Sequence, residues 1–358
     1  MKIDLNDKVT RFLVQDYVNQ ICNYQSKDEL NFDIHKLIHT FDVVKMAEHL
    51  ICETKPKLPL KLQKQILNAA LLHDWGRCYE FKNGARLKNI DHFMPPTSCI
   101  LHGKLGLRRD CFCLDVSQGC CGFVVGLLQA FQLLEQKGVR KVAVVNADVI
   151  SRKVSPKDRN SYPLIGDAAT IAIVENREGV GDVFADVRFD GTRSMALQIP
   201  AGAFRLPSSP ETAVMSADAE GNERAPDNLV MDGTAVFNFV MADVPPMLSD
   251  LVKDAGLAFS GIDKYYFHQP NKFMLQKLAE KLDVPYGKMP NNVVENYGNS
   301  SGATIPSAMA LNDAELLCRE MKRVCFSGFG VGLTYGGIVM NCGRFDFCDT
   351  IYYPNKGE

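Results

Sequence analysis

Net charge is almost absent from this chain: 40 Lys and Arg are matched by 42 Asp and Glu in 358 residues, a formal balance of -2. A protein so nearly neutral carries no broad field to hold nucleic acid, so no nucleic-acid partner is expected. Long apolar runs are missing too. None approaches the roughly 20 residues needed to cross a bilayer, so no membrane is expected. The opening Met-Lys-Ile-Asp-Leu-Asn-Asp has no apolar signal core, which argues for a cytoplasmic location. Paired Cys-x-x-Cys spacing is absent from the twelve cysteines, and neither Cys111-Phe-Cys113 nor Cys120-Cys121 matches a zinc knuckle. Without a secretory context, most of these thiols are expected to be reduced, buried or free.

Histidine is unevenly scarce. Six of seven (His35, His39, His49, His73, His92, His102) fall in the first 102 residues, and His268 stands alone after them. Glycine and β-branched stretches concentrate after residue 110. The shift predicts two segments of different origin, with a boundary near Phe93–Pro96. In the first, apolar positions recur at three- and four-residue spacing, as in Val43, Val44, Met46, Ala47 and Leu50. The pattern predicts helices over 8–22, 33–53 and 60–75, with no strand signal. Within this all-α stretch lie His39, Leu71-Leu-His-Asp-Trp-Gly-Arg77 and Asp91-His92. These residues resemble the HD metal-dependent phosphohydrolase superfamily. The resemblance implies that His39, His73 and Asp74 hold a divalent metal whose bound water attacks a phosphate ester. It ends near His92, before the later helix on which the superfamily places a further Asp.

From Pro95 the pattern changes. Pro96–Gly106 predicts a short helix capped by Thr97 or Ser98, and Cys111–Val116 a short buried strand. A helix over 121–136 is apolar on nearly every face, so it should run buried through a layered fold. Strands are predicted at Arg140–Ala147, Thr170–Val174, Val183–Phe189, Lys264–Phe267, Arg323–Ser327 and Thr334–Asn341. Helices are predicted over 232–256, 271–283 and 302–320. Strands alternating with helices indicate α/β layers. Residues 190–231 carry Pro, Ser, Asp and Glu with little periodicity and read as a long surface excursion.

Three separated stretches in this second segment carry chemistry: Asp115-Val-Ser-Gln-Gly-Cys-Cys-Gly-Phe123, Phe267-His-Gln-Pro-Asn271 and Asn296-Tyr-Gly-Asn-Ser-Ser-Gly302. Taken singly, each reads more simply: Cys120 or Cys121 as an inert buried thiol, His268 as a structural residue, Asn-Ser-Ser-Gly as a turn. With Pro156-Lys-Asp-Arg-Asn160, Ile165-Gly-Asp-Ala-Ala-Thr170 and Gly328-Phe-Gly-Val-Gly-Leu-Thr-Tyr-Gly336, they occur in an order that resembles β-ketoacyl-acyl-carrier-protein synthase III and its thiolase-fold relatives. The resemblance covers about Pro95 to Gly343.

It implies a thiolase-like αβαβα fold and an acyltransferase that needs no cofactor. The implied reaction is decarboxylative Claisen condensation between acyl-CoA and malonyl-acyl-carrier protein, in a homodimer. By motif match, Cys120 is the nucleophile. Its place at the mouth of a helix should lower the thiol pKa. His268 and Asn299 would hold the malonyl thioester carbonyl as neutral donors. The N–H groups of Cys120 and Gly332 would form the oxyanion hole, and Asn271 and Arg159 would meet coenzyme A. The family's first strands, which precede Met94-Pro-Pro-Thr, have no counterpart, so sheet edges should be left unpaired. The basic residue common two positions after the His-Gln-x-Asn motif is Phe273 here.

The expected organisation is therefore an incomplete HD-like helical segment (1–93), an α/β synthase-like domain lacking its first strands (94–345) and a tail (346–358). Three alternatives stay open: a metal phosphohydrolase, an inactive fusion of two incomplete domains, and a non-condensing acyltransferase using Cys120 and His268 only.

Overall fold

The computed structural model describes residues 94–177 and 179–350. The helices expected over 8–22, 33–53 and 60–75 lie outside these residues. The chain divides into two compact units, Met1–Asp115 with Asp349–Glu358, and Val116–Cys348.

In the first unit, helix α1 (Thr97–Lys104) starts after Pro96, which has no side-chain oxygen to cap it. The cap expected from Thr97 or Ser98 comes instead from the Asp115 carboxylate, which accepts from the N–H groups of both residues at 2.7 Å. A full negative charge there also meets the positive end of the helix dipole. Burial opposes ionisation of Asp115, but the donors from Ser98 and Thr97 outweigh it and hold the carboxyl below its ordinary range. The strand expected at Cys111–Val116 does not form, and Phe112, Leu114 and Val116 are exposed. A strand requires a neighbour for its N–H and C=O groups, and this segment pairs with none of the described strands.

The second unit opens with a 3-10 turn at Gly119–Cys121 and helix α2 (Gly122–Leu134). Strands β1 (Lys141–Asp148), β2 (Ala168–Glu175) and β3 (Phe184–Phe189) follow. The excursion over 190–231 is stitched by two-residue strands, β4 (Leu197–Gln198) on β7 (Val230–Met231) and β5 (Ser216–Ala217) on β6 (Glu223–Arg224). Then come α3 (Gly233–Asp254), β8 (Lys264–Phe267), α4 (Lys272–Leu282), α5 (Val293–Tyr297), α6 (Thr304–Arg319), β9 (Met321–Gly330) and β10 (Thr334–Gly343).

The main sheet runs β3-β10-β9-β8; β8 is parallel to β9 and the other pairs are antiparallel. The period of two along each strand splits its side chains between two cores. On β9, Cys325 and Phe329 join the cluster of α3 and α4, whereas Val324 and Phe326 join that of α2 and α6. Helices α2 and α6 also pack against the antiparallel pair β1–β2, so the layers run helix, sheet, helix, sheet. Of the described helices, α3 is long and apolar enough to cross a membrane by length and composition. Its Val240, Val244, Met247, Leu248 and Leu251 are instead buried in the core.

The far face of β1–β2 carries exposed apolar side chains. Ala143 and Val145 stand opposite Ile173 and Ile171 in register, and Val145, Ile171 and Ile173 are 50%, 42% and 48% exposed. Strand β1 pairs only with β2 among the described strands. Helix α2 is correspondingly less buried than its composition predicts, with Val125, Leu128 and Phe131 only half-buried.

Candidate active site

Cys120 lies in the 3-10 turn before α2, facing the end of β9. Two glycines on β9 make the room. A Cβ on Gly330 would stand 2.6 Å from Cys120 Cβ and 2.8 Å from its Sγ, and one on Gly328 would stand 2.9 Å from Cys121 Cα. The Ser301 hydroxyl lies 3.8 Å from Cys120 Sγ, and the Val331 N–H also points at the sulfur.

The thiol does not behave as its place near a helix start suggests. Burial pushes it up, the nearby Asp148 carboxylate adds to the effect, and the Ser301 and Val331 donors only partly offset them. Cys120 therefore rests as a thiol. Its neighbour Cys121 is fully buried, approaches the Gly328 carbonyl at 3.5 Å and has a thiol pushed up to about 12. It is a packing residue.

His268 directly follows β8, whose parallel pairing continues in its N–H bond to the Ser327 carbonyl at 2.8 Å. The ring is buried, packs edge-on against Phe329 at 5.6 Å, and places Nδ1 2.8 Å from Thr304 Oγ1. Burial lowers its pKa to about 4, against a smaller raising effect of the Ser301 carbonyl. The imidazole is neutral at physiological pH, as a neutral hydrogen-bonding group requires.

Asn299 is fixed through its backbone: its N–H donates to the Leu164 carbonyl at 2.6 Å, and its carbonyl accepts from Gly166 N–H at 3.2 Å. The crossing explains two motif glycines. A Cβ on Gly166 would sit 1.9 Å from the Tyr297 carbonyl oxygen, and Gly298, at φ +74°, would meet Gly166 in turn. The Asn299 side-chain oxygen accepts from Ser301 N–H at 2.9 Å.

Ser301, at φ +54°, is thus the hub that the sequence did not reveal. Its hydroxyl approaches Cys120, its N–H holds Asn299, and its carbonyl accepts from Thr304, which in turn contacts His268. Asp148, the third unforeseen residue, accepts from Gly302 N–H at 3.3 Å. Only the tertiary arrangement identifies Ser301, Thr304 and Asp148, although the first two lie in or beside a recognised motif.

Gly332 (φ +136°) follows Val331 in the turn between β9 and β10. Asn271 caps α4, its side-chain oxygen accepting from Met274 N–H at 2.8 Å. Arg159 is exposed and donates to the Glu220 carbonyl at 2.7 Å, which ties it to the 190–231 excursion. Phe273 is exposed and stacks on Phe237 at 5.8 Å. His39, His73 and Asp74 lie outside the described residues. Among the described residues no group of three or more His, Cys, Asp or Glu side chains could hold a metal ion.

Two family models match the second unit: 3-oxoacyl-[acyl-carrier-protein] synthase III over residues 114–191, and its C-terminal part over 252–342. A β-ketoacyl-[acyl-carrier-protein] synthase III of Syntrophomonas wolfei is 31% identical over 255 residues, which is 71% of this chain and 74% of that protein. The chain belongs to the 3-oxoacyl-[acyl-carrier-protein] synthase III family. A synthase III of Phocaeicola vulgatus is likewise 31% identical over 254 residues, 71% of this chain and 72% of that one. The structure of a 3-oxoacyl-(acyl-carrier protein) synthase from Burkholderia xenovorans matches with a TM-score of 0.68 at 30% identity, over 79% of this chain and 82% of that one. A second 3-oxoacyl-(acyl-carrier-protein) synthase III structure gives 0.67 at 31%, over 76% and 85%. The layered α/β architecture is therefore the thiolase-like fold of synthase III, and the chain is an acyltransferase of this condensing family.

Proposed function

We propose that the chain condenses the acyl group of an acyl-CoA with malonyl-acyl-carrier protein through an acyl-Cys120 intermediate. It would act as a cytoplasmic homodimer without a cofactor, with the synthase domain over 94–345. The observation that carries this reading is the continuous contact chain Cys120–Ser301–Asn299 and Ser301–Thr304–His268.

In the first half-reaction Cys120 sulfur attacks the thioester carbonyl. The new bond is Cys120 S–C(O), the bond to coenzyme A sulfur breaks, and the thiol proton ends on the departing coenzyme A thiol. The N–H groups of Cys120 and Gly332 serve the oxyanion of that step. The sulfur must shed its proton as it attacks, so the raised Cys120 thiol adds to the barrier of this step. Asn271 and Arg159 are assigned to coenzyme A; with its Oδ1 engaged in the α4 cap, Asn271 offers its Nδ2 donors.

In the second half-reaction the malonyl carboxylate leaves as CO2 and its bonding pair becomes an enolate. The enolate carbon then attacks acyl-Cys120, and Cys120 leaves as a thiolate that takes a proton from water. Charge peaks on the malonyl thioester oxygen, where His268 and Asn299 supply neutral donors. Removing one such donor costs about 10²–10³-fold in rate.

The test is CO2 release from malonyl-acyl-carrier protein. His268→Ala and Asn299→Ala should each lower it about 10²–10³-fold while leaving Cys120 able to accept an acyl group. Wild-type acyl transfer without CO2 release would instead establish the non-condensing alternative. The metal-dependent hydrolysis implied for His39, His73 and Asp74 rests on sequence alone; metal content and phosphatase activity of the chain, against a His73→Ala control, decide it.

A further inference from the structure

We propose that Thr304 is a positioning residue that selects the tautomer of His268, and with it the ability of the ring to donate to the enolate. The proposal rests on the role given to His268 above. Thr304, the first residue of α6, is fully buried. Three polar groups converge on its Oγ1: the Ser301 carbonyl at 2.8 Å, His268 Nδ1 at 2.8 Å and the Gln269 N–H at 3.2 Å.

A threonine hydroxyl carries one proton and two lone pairs. The Gln269 N–H can only donate, and the Ser301 carbonyl can only accept. His268 Nδ1 can do either, so the tautomer of the ring follows the Thr304 proton. When the hydroxyl points at Ser301, Nδ1–H donates to Oγ1, all three partners are served, and Nε2 is left bare. When the hydroxyl turns to Nδ1, the ring proton sits on Nε2 and the Ser301 carbonyl gives up one donor. Burial holds the ring near pKa 4, so the doubly protonated form that could donate from both nitrogens is not populated near neutral pH.

Only the Nε2–H form can donate from the free edge of the ring. The first arrangement is the better satisfied at rest. Charge growing on the thioester oxygen favours the second, and the population shifts toward it. The exchange is balanced: one proton leaves Nδ1 for water, another is taken from water by Nε2, and net charge is unchanged. Thr304 lets the same histidine rest in a fully bonded state and still present a donor when the reaction calls for one.

Two variants and one spectrum test this. Side-chain nitrogen signals of 15N-labelled protein report the His268 tautomer, with His268→Asn to assign them. Wild-type protein should show both tautomers in exchange. Thr304→Val should show Nδ1–H alone, donating to the Ser301 carbonyl. Its CO2 release from malonyl-acyl-carrier protein should fall about 10²–10³-fold, the loss of one oxyanion donor, with a far smaller fall in Cys120 acylation. Thr304→Ser keeps the hydroxyl and should restore both signals and rate.

The proposal is overturned if Thr304→Val keeps the wild-type tautomers and rate, or if Thr304→Ser fails to restore them. If Thr304→Val does not fold, a resting wild-type spectrum with His268 wholly in the Nε2–H tautomer overturns it as well, because Nδ1–H is the better satisfied form at rest. The spectra read the ring whether or not the enzyme turns over. Wild-type protein that neither acylates nor decarboxylates would therefore sink the catalytic reading while the Thr304 question is still answered.

Discussion

At the scale of single residues, burial decides more than charge. His268 titrates near 4 in the folded chain, against an ordinary 6.5. The unfolded state thus binds the proton more tightly. Stability is complete above pH 6.5 and falls as the pH drops from there toward 4, by about 3 kcal/mol in all. Urea unfolding at several pH values should show this slope in wild type and its loss in His268→Asn; parallel profiles would contradict it. Asp158 is the opposite case. It is fully buried, and burial opposes its charge, but Arg224 at 2.6 Å and the Asn160 and Ser161 donors win and hold it below its ordinary 3.8. Its contribution is present above pH 3.8 and is lost as pH falls through the lower folded value. Asp158→Ala leaves the largely buried Arg224 short of its main partner and should cost about 3 kcal/mol in thermal or urea unfolding. The pair anchors the 190–231 excursion, so limited proteolysis there should accelerate in the same variant.

At the scale of elements, the clearest device is the pair of glycines that lets β9 pass under the Cys120 turn. A Cβ on Gly330 would lie well inside contact distance of Cys120 Cβ and Sγ. Gly330→Ala should therefore lower stability by about 1–3 kcal/mol and slow alkylation of Cys120 by iodoacetamide. Unchanged alkylation would mean that the turn moves away freely. Such elements differ in how far the sequence shows them. Strand β8 is found at its predicted limits, Lys264–Phe267, because a short apolar run needs only its own residues to declare it. Cys111–Val116 has the same local signature and fails, because pairing is a property of a neighbour. The cap of α1 is supplied by Asp115, 18 residues beyond Thr97, so no local rule could assign it. The site motifs are legible in the sequence because backbone crossings such as Gly166 on Gly298 demand glycine at fixed places. Ser301 and Thr304, whose roles depend on which segments meet, were not. The Cys120 thiol differs from its sequence expectation for a related reason: helix-start position is visible in sequence, whereas burial beside Asp148 is not.

At the scale of the whole molecule, the described part of the second unit has helix, sheet, helix and sheet layers and then an exposed apolar face on β1–β2. Exposed Val145, Ile171 and Ile173, on strands that pair only with each other among the described strands, invite association. The double variant Ile171→Lys, Ile173→Lys should reduce aggregation on heating with little loss of stability, checked by light scattering alongside calorimetry. Equal scattering would show that this face is covered in solution. These layers position the Cys120 site, and mass spectrometry after incubation with acyl-CoA tests its acyl transfer most directly. One acyl adduct is expected, located on Cys120 and absent from Cys120→Ala. Folded protein that stays unmodified, or is modified equally in Cys120→Ala, would contradict it.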